Sequence, residues 1–257
     1  MAAPRSRTRR RSASPTYSPR AVTPISSQPK RRSRSKEVPR RVVRSPESVR
    51  ASMRAQALRD LSSTRPQTRI RGLFVLGDLQ DSSSADRVAT FLRDENGGVR
   101  RAAAIALGTM GNRRAGRGLV RALRDREPAV RAAAAAALGN LGEPQSVRYL
   151  ILRLRDPNAA VRRAAIHSLG QLSDLRATAA LSARLVGGTV SGQRLAMDPD
   201  HYNRIEIARA LRRIADPLSL PALDRARRYD QNALVRRYSL DSFREITAAQ
   251  QTEETGE

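Results

Sequence analysis

Arginines recur along one predicted helix at spacings that place their side chains on a single face. The spacing i, i+4, i+8 and i+11 describes Arg113, Arg117, Arg121 and Arg124. Arg148 and Arg155 lie 31 residues after two of these positions, Arg117 and Arg124. Guanidinium groups bind carboxylates and phosphates through paired hydrogen bonds, so the pattern predicts a surface for an acidic partner. A solvated helix face can carry the same pattern, and the sequence leaves both interpretations open.

No arrangement of residues in the sequence predicts catalysis. Cysteine is absent, and the two histidines, His167 and His201, stand apart. His201 closes the run Asp198-Pro199-Asp200-His201, but three polar residues at a helix start form a cap more often than a metal site. We find no Gly-rich phosphate loop and no Ser/His/Asp arrangement. We therefore expect no enzyme activity, no cofactor, no metal and no small-molecule substrate.

A second set of charged residues combines an aspartate with an arginine six positions later. The pairs are Asp94 with Arg100, Asp125 with Arg131, Asp156 with Arg162, Asp198 with Arg204, and Asp230 with Arg236. An aspartate between two helices can cap the next helix, and an arginine in its first turn can reach a neighbouring unit's aspartate. Such a row could bind a partner, but we interpret it as a structural ladder. Ser63 replaces the aspartate of the first unit, so we expect the ladder to fray there.

Both sets of residues lie within a sequence that repeats at a constant interval. The best copies begin at Val99, Val130 and Val161, and a weaker copy begins at Thr68. Each copy places apolar residues at i, i+3, i+4, i+7, i+8 and i+11, which is one face of a helix. Leucines then mark a second helix. A repeat of this length predicts a solenoid, in which each unit buries its apolar face against its neighbours.

Glycine recurs near the end of each first helix, at positions 77, 108, 139 and 170. Glycine inside a helix costs about 1 kcal/mol relative to alanine, so four glycines in register indicate a close approach between helices. Gly111 and Gly142, three residues after two of them, are typical of helix C-caps.

The units resemble HEAT-like repeats of the type first recognised in phycobilin lyases. The resemblance rests on Val-Arg soon after the aspartate, followed by Ala-Leu-Gly-x-Leu-Gly; it is strong over residues 94–173, moderate over 64–93 and degenerate over 203–246. It implies an all-α, right-handed α-solenoid, here of about five to six helix pairs. The His-Glu pairs of deoxyhypusine hydroxylases and the tryptophans of HEAT-like DNA glycosylases are both missing. The repeat therefore defines the fold but leaves the function open.

The boundaries of the solenoid, predicted at residues 46–246, follow from local signals. Ser45 followed by Pro46 predicts a helix start, with a capping side chain and then proline at the first helical position. Residues 187–197 interrupt the repeat and contain three glycines, so we expect a flexible loop. Residues 247–257 are polar, with three glutamates, and we expect them to fray.

Residues 1–45 are predicted to be a disordered basic tail. The first 50 residues hold 15 lysines and arginines against two acids, a net charge of +13. This is about half of the net charge of the whole chain, +25. Ten serines and seven prolines in this stretch leave little apolar surface to bury. The clusters that could neutralise phosphates are Arg9, Arg10, Arg11, Lys30, Arg31, Arg32 and Arg34. A transit peptide is the alternative interpretation.

These features predict a non-enzymatic scaffold or adaptor that holds a protein partner along its concave face, while the basic arm contacts an acidic surface. One alternative is a nucleic-acid-associated protein that binds phosphates through the arm and the arginines. Another is a phycobilin lyase subunit or a similar assembly factor. The longest apolar run, Ala132–Leu138, is too short to span a bilayer. We expect a soluble intracellular protein, cytoplasmic or, if the tail is a transit peptide, organellar.

Overall fold

The computed structural model describes residues 45–255, so the predicted basic arm up to position 44 lies outside the described residues. Twelve α-helices form between residues 45 and 255. They are α1 (Pro46–Asp60), α2 (Pro66–Asp78), α3 (Ala85–Thr90), α4 (Gly97–Met110), α5 (Gly116–Ala122), α6 (Pro128–Asn140), α7 (Val147–Arg153), α8 (Ala159–Leu172), α9 (Thr178–Val186), α10 (His201–Ile214), α11 (Leu220–Tyr229) and α12 (Ala233–Thr255).

The helices are arranged in two layers. The even-numbered helices from α2 to α12 are the first helices of their units, and each packs beside the next. The odd-numbered helices from α3 to α11 are the second helices, and each packs against the first helix of the following unit. Helix α1 packs against α2 in the same way, as the second helix of a half-unit. Five complete helix pairs between two single helices confirm the predicted α-solenoid.

One apolar core runs through the stacked units. The valine that opens each repeat is fully buried at positions 99, 130 and 161. The leucines that mark the second helices are buried just as deeply at positions 119, 150 and 181. Each unit therefore completes the core of its neighbours, as expected when no unit can bury its apolar face alone.

Glycines bring the first helices close together, as the sequence predicted. A Cβ added to Gly108 would lie 2.8 Å from the Cα of Ala137 in the next first helix. At Gly77 the corresponding distance, to the Cα of Ala106, is 3.1 Å. Gly111 has the left-handed φ of +69° expected at the end of a helix.

The first helix begins as predicted, because the Ser45 hydroxyl accepts a hydrogen bond from the Ser48 N–H at 3.2 Å and Pro46 follows it. At the opposite end, α12 continues to Thr255. The expectation that residues 247–257 fray is therefore wrong for the described part, 247–255. Alanines and glutamines favour a helix after Ile246, and no glycine or proline occurs between Ile246 and Gly256. Among the helices of residues 45–255, none is both long enough and apolar enough to cross a membrane.

The interruption at residues 187–197 forms a β-hairpin, so the expectation of a flexible loop is wrong. Strands β1 (Gly188–Val190) and β2 (Gln193–Leu195) pair antiparallel, with Gly188 opposite Leu195. Ser191 and Gly192 between them both have positive φ, which is the backbone of a tight two-residue hairpin turn. The side chain of Leu195 is buried and anchors the hairpin to the solenoid.

Candidate partner-binding surface

The arginines of the predicted ladder pair with the aspartate of the following unit. Arg100 donates to Asp125 through Nε at 2.7 Å and Nη2 at 2.9 Å. Arg162 makes the same two-point contact with Asp198, at 2.7 and 3.0 Å. The other inter-unit pairs are Arg69 with Asp94, Arg131 with Asp156, and Arg204 with Asp230. Within residues 45–255, Arg236 in the last helix donates side-chain hydrogen bonds only to backbone oxygens of the turn before that helix, those of Asp230 and Gln231.

The same arginines also brace the turn in front of their own helix. Nη1 of Arg100 donates to the backbone oxygens of Asp94 and Glu95, at 2.9 and 3.1 Å. Arg69 does the same with the backbone oxygens of Ser63 and Thr64, both at 3.0 Å. Because the arginine uses carbonyl oxygens here, Ser63 keeps this contact with Arg69, although a serine has no carboxylate for an inter-unit pair. The fraying predicted at Ser63 is therefore wrong for the turn in front of α2.

The ladder aspartates do not cap the next helix directly, which corrects a second expectation. The Asp94 carboxylate accepts a hydrogen bond from the N–H of Asn96, two residues on, at 2.9 Å. Asn96 is the N-cap, and its side chain accepts from the Val99 N–H at 3.2 Å. Asn158 and Asn232 cap their helices in the same way. The aspartate shapes the turn, and at these three positions the asparagine two residues later caps the helix; Glu127, at the equivalent position before α6, makes no side-chain capping bond.

Three of the ladder aspartates, Asp125, Asp156 and Asp198, have a lowered pKa although they are partly or fully buried. Burial by itself would raise the pKa of Asp198, but hydrogen bonds from Arg162, the Asp200 N–H and Arg184 outweigh it and hold the pKa below its usual range. Asp125 and Asp156 show the same balance of burial against arginine and backbone donors. Charged, two-point pairs of this kind fix the register between units.

A different set of arginines lines a groove of about 770 Å³ between the second helices α5 and α7. Arg113 and Arg114 lie in the short 3₁₀ turn before α5, and Arg117 and Arg121 lie on α5 itself. Arg148 reaches the groove from α7. We call the groove that these five arginines line the arginine groove.

Local packing explains why these side chains face solvent. Leu119 and Ala122 are buried on the opposite face of α5, which turns Arg117 and Arg121 outward. The amide oxygen of Asn112 accepts a hydrogen bond from the Arg114 N–H at 3.0 Å and fixes the turn before α5. Helix α5 and the 3₁₀ turn before it thus fix the positions of these arginines.

Four of these arginines have no acidic partner in the described chain. Across residues 45–255, the side chains of Arg113, Arg114, Arg117 and Arg121 form no ion pair or hydrogen bond, and all four are exposed. Arg148 donates to the Tyr149 hydroxyl at 2.7 Å, and its guanidinium lies 4.6 Å from the centre of the Tyr149 ring. The groove therefore carries a high positive charge that the fold itself does not neutralise.

The structure divides the arginine stripe predicted from the sequence. Arg124 lies beyond the end of α5 and faces a separate, smaller depression beside Arg93. Arg155 donates to the side-chain oxygen of Gln193 in the hairpin, at 2.7 Å. Arg114 and Tyr149 join the groove although the spacing did not indicate them. A uniform helical period missed Arg114 because residues 113–115 form a 3₁₀ turn, which changes the phase.

The histidines lie away from the arginine groove. His167 is exposed on α8, and its Nδ1 lies 3.0 Å from the carboxylate of Glu206, which also contacts Arg209 and Arg213. His201 is the first residue of α10, beside the N-cap Asp200. No group of three or more potential metal ligands occurs in the part of the chain that the structure describes.

Helix pairs stacked side by side through one shared core define an α-solenoid repeat protein. The family model described as HEAT repeats matches residues 51–126 and 116–197, which together make up more than half of the chain. The chain belongs to the HEAT-repeat family. No curated protein matched the chain.

Several solved structures share this fold. The complex of CpcE and CpcF of phycocyanin lyase from Nostoc sp. PCC7120 matches at 24% identity and a TM-score of 0.56, over 74% of this chain and 75% of that one. The designed armadillo repeat protein YIII(Dq)4CqI matches at 17% identity and a TM-score of 0.51, over 74% and 98%. A related designed armadillo repeat protein, in complex with the peptide (KR)4, matches at 17% identity and a TM-score of 0.51, over 73% of this chain and 98% of that one. At these identities the likeness concerns the fold.

Proposed function

We propose that this protein is a non-enzymatic HEAT-repeat scaffold that holds a protein partner on the face formed by its second helices. The arginine groove carries the proposal, because four of its arginines have no acidic partner among residues 45–255. Exposed charge that a protein leaves uncompensated on one face steers and holds a partner of opposite charge.

The ladder supports a scaffold because it makes the arginine groove rigid. Each two-point arginine–aspartate contact joins one unit to the next, for example Arg131 to Asp156 at 2.8 Å through both nitrogens. A partner that spans two units then meets side chains whose spacing is already fixed. Binding to such a surface loses less entropy than binding to a mobile one.

Cross-linking tests the proposal on the full-length protein. The immobilised full-length protein is incubated with a nuclease-treated lysate of its source organism. Proteins that it retains are cross-linked to it, and the cross-links are mapped by mass spectrometry. We expect one protein partner at constant stoichiometry, with cross-links on α3, α5, α7 or α9. Retention that nuclease abolishes would favour the nucleic-acid alternative, and a co-purified pigment would favour the lyase alternative.

A further inference from the structure

We propose that the arginine groove binds a short, extended segment of the protein partner, in which aspartates and glutamates flank one apolar side chain. The inference rests on the proposed function and adds the chemistry of the bound segment. Three observations carry it: four arginines are concentrated in one unit although the repeat does not require them, the groove has a partly apolar lining, and a carboxylate lies inside it.

The repeat itself does not require these arginines. In the preceding unit, the positions equivalent to the four arginines from Arg113 to Arg121 hold Ser82, Ser83, Asp86 and Thr90. In the following unit they hold Pro144, Gln145, Arg148 and Leu152. Ladder arginines, by contrast, recur in every unit because they join neighbours. A concentration of charge in one unit that the fold does not use indicates a binding site.

The floor of the groove is partly apolar. Val120 and Tyr149 line it together with the arginines, and both residues are half-buried. Such a floor can receive an apolar side chain of a ligand while the arginines around it bind carboxylates. Clefts that combine an apolar surface with a few placed charges are typical of specific ligand sites.

A peptide fits the groove better than a nucleic acid does. The Glu143 carboxylate lines the groove and would repel a continuous row of phosphates. The Arg148 guanidinium covers one face of the Tyr149 ring, so that face is not free to stack on a base. A peptide can place its carboxylates at the arginines and a neutral or apolar residue near Glu143.

Fluorescence anisotropy on the full-length protein tests the inference. The probe is a labelled short peptide in which aspartate and glutamate flank one leucine; its amide counterpart, with asparagine and glutamine, is the neutral control. The groove variant is Arg117→Glu with Arg121→Glu. The matched control is Arg225→Glu with Arg237→Glu, since both residues are exposed and form no ion pair within residues 45–255. Both double variants change the net charge equally.

We expect the groove variant to weaken binding of the acidic peptide by about tenfold or more, because two attractions become two repulsions. The control variant should bind within about twofold of the wild type, since distant charges are screened. Circular dichroism checks that both variants keep their helices. Equal binding by the two variants contradicts the inference.

A photo-reactive leucine in the same peptide gives a second readout. We expect its cross-links on residues 113–149; cross-links confined to residues 1–44 would overturn the inference. Tighter binding of a single-stranded DNA oligonucleotide that the groove variant abolishes would also overturn it. If the groove variant retains the cellular protein partner as well as the wild type does, this inference fails while the proposed scaffold function stands.

Discussion

At the scale of single residues, Asp198 shows how much one carboxylate can organise. It is fully buried and accepts hydrogen bonds from Arg162 at 2.7 Å, Arg184 at 2.9 Å and the Asp200 N–H at 3.0 Å. The spacing in the sequence indicated a ladder contact for Asp198. It did not indicate Arg184, because this residue lies on α9 and meets Asp198 only after the hairpin has turned the chain back.

We expect Asp198→Ala to lower the free energy of unfolding by about 3–5 kcal/mol, because two buried guanidinium groups lose their counter-charge. Urea unfolding followed by circular dichroism measures the change. Asp224→Ala is the matched control: Asp224 pairs with Arg227 and Arg228 on its own helix near the surface. That pairing is worth no more than about 1 kcal/mol. Equal losses in the two variants would contradict the prediction.

At the scale of helices, the glycines set how closely the first helices approach. The sequence predicted this contact because glycine in register inside four helices has no other simple explanation. Local signals described the second helices less well. The turn before α5 is a 3₁₀ turn rather than part of the helix, so the phase of the arginines could not be extrapolated from a single period.

Gly108→Ala tests the close approach. Alanine favours a helix by about 1 kcal/mol over glycine. We nevertheless expect a net loss of about 1–3 kcal/mol, because the new Cβ would lie 2.8 Å from the backbone of Ala137. At Gly116 the nearest atom, on the Glu143 side chain, lies 3.6 Å away, so Gly116→Ala should be neutral or stabilising. Thermal unfolding of both variants makes the comparison, and stabilisation by Gly108→Ala would disprove close packing there.

At the scale of the whole molecule, charge acts in two opposite ways. The chain has a net charge of +25, and its like charges repel one another. The ladder pairs attract, and their carboxylates are largely shielded: the side chains of Asp156, Asp198 and Asp230 are at most 2% exposed. Salt screens exposed charges far more than buried pairs.

We therefore expect sodium chloride to raise the melting temperature, because it weakens the repulsion and leaves the ladder nearly unchanged. The shift should be a few degrees, since about 1 kcal/mol corresponds to ~2–4 °C for a domain of this size. Differential scanning calorimetry across a sodium chloride series measures it, and potassium chloride at equal ionic strength should give the same shift if screening is the cause. A melting temperature that falls with salt would mean that exposed ion pairs contribute more than the repulsion costs.

The sequence by itself determined the repeat, the two helices of each unit, the glycine contacts and the spacing of the ladder. These features recur because every unit must meet the same neighbour in the same way, so they appear at a constant interval along the chain. The tertiary structure alone decided that the ladder arginines from Arg69 to Arg204 join the aspartate of the following unit rather than the preceding one, that residues 188–195 pair as a hairpin, and which arginines share the groove. Positions that face solvent or an insertion are not constrained by the contacts between repeat units. Their arrangement therefore depends on the rotation of each helix and on contacts between residues that are distant in the chain.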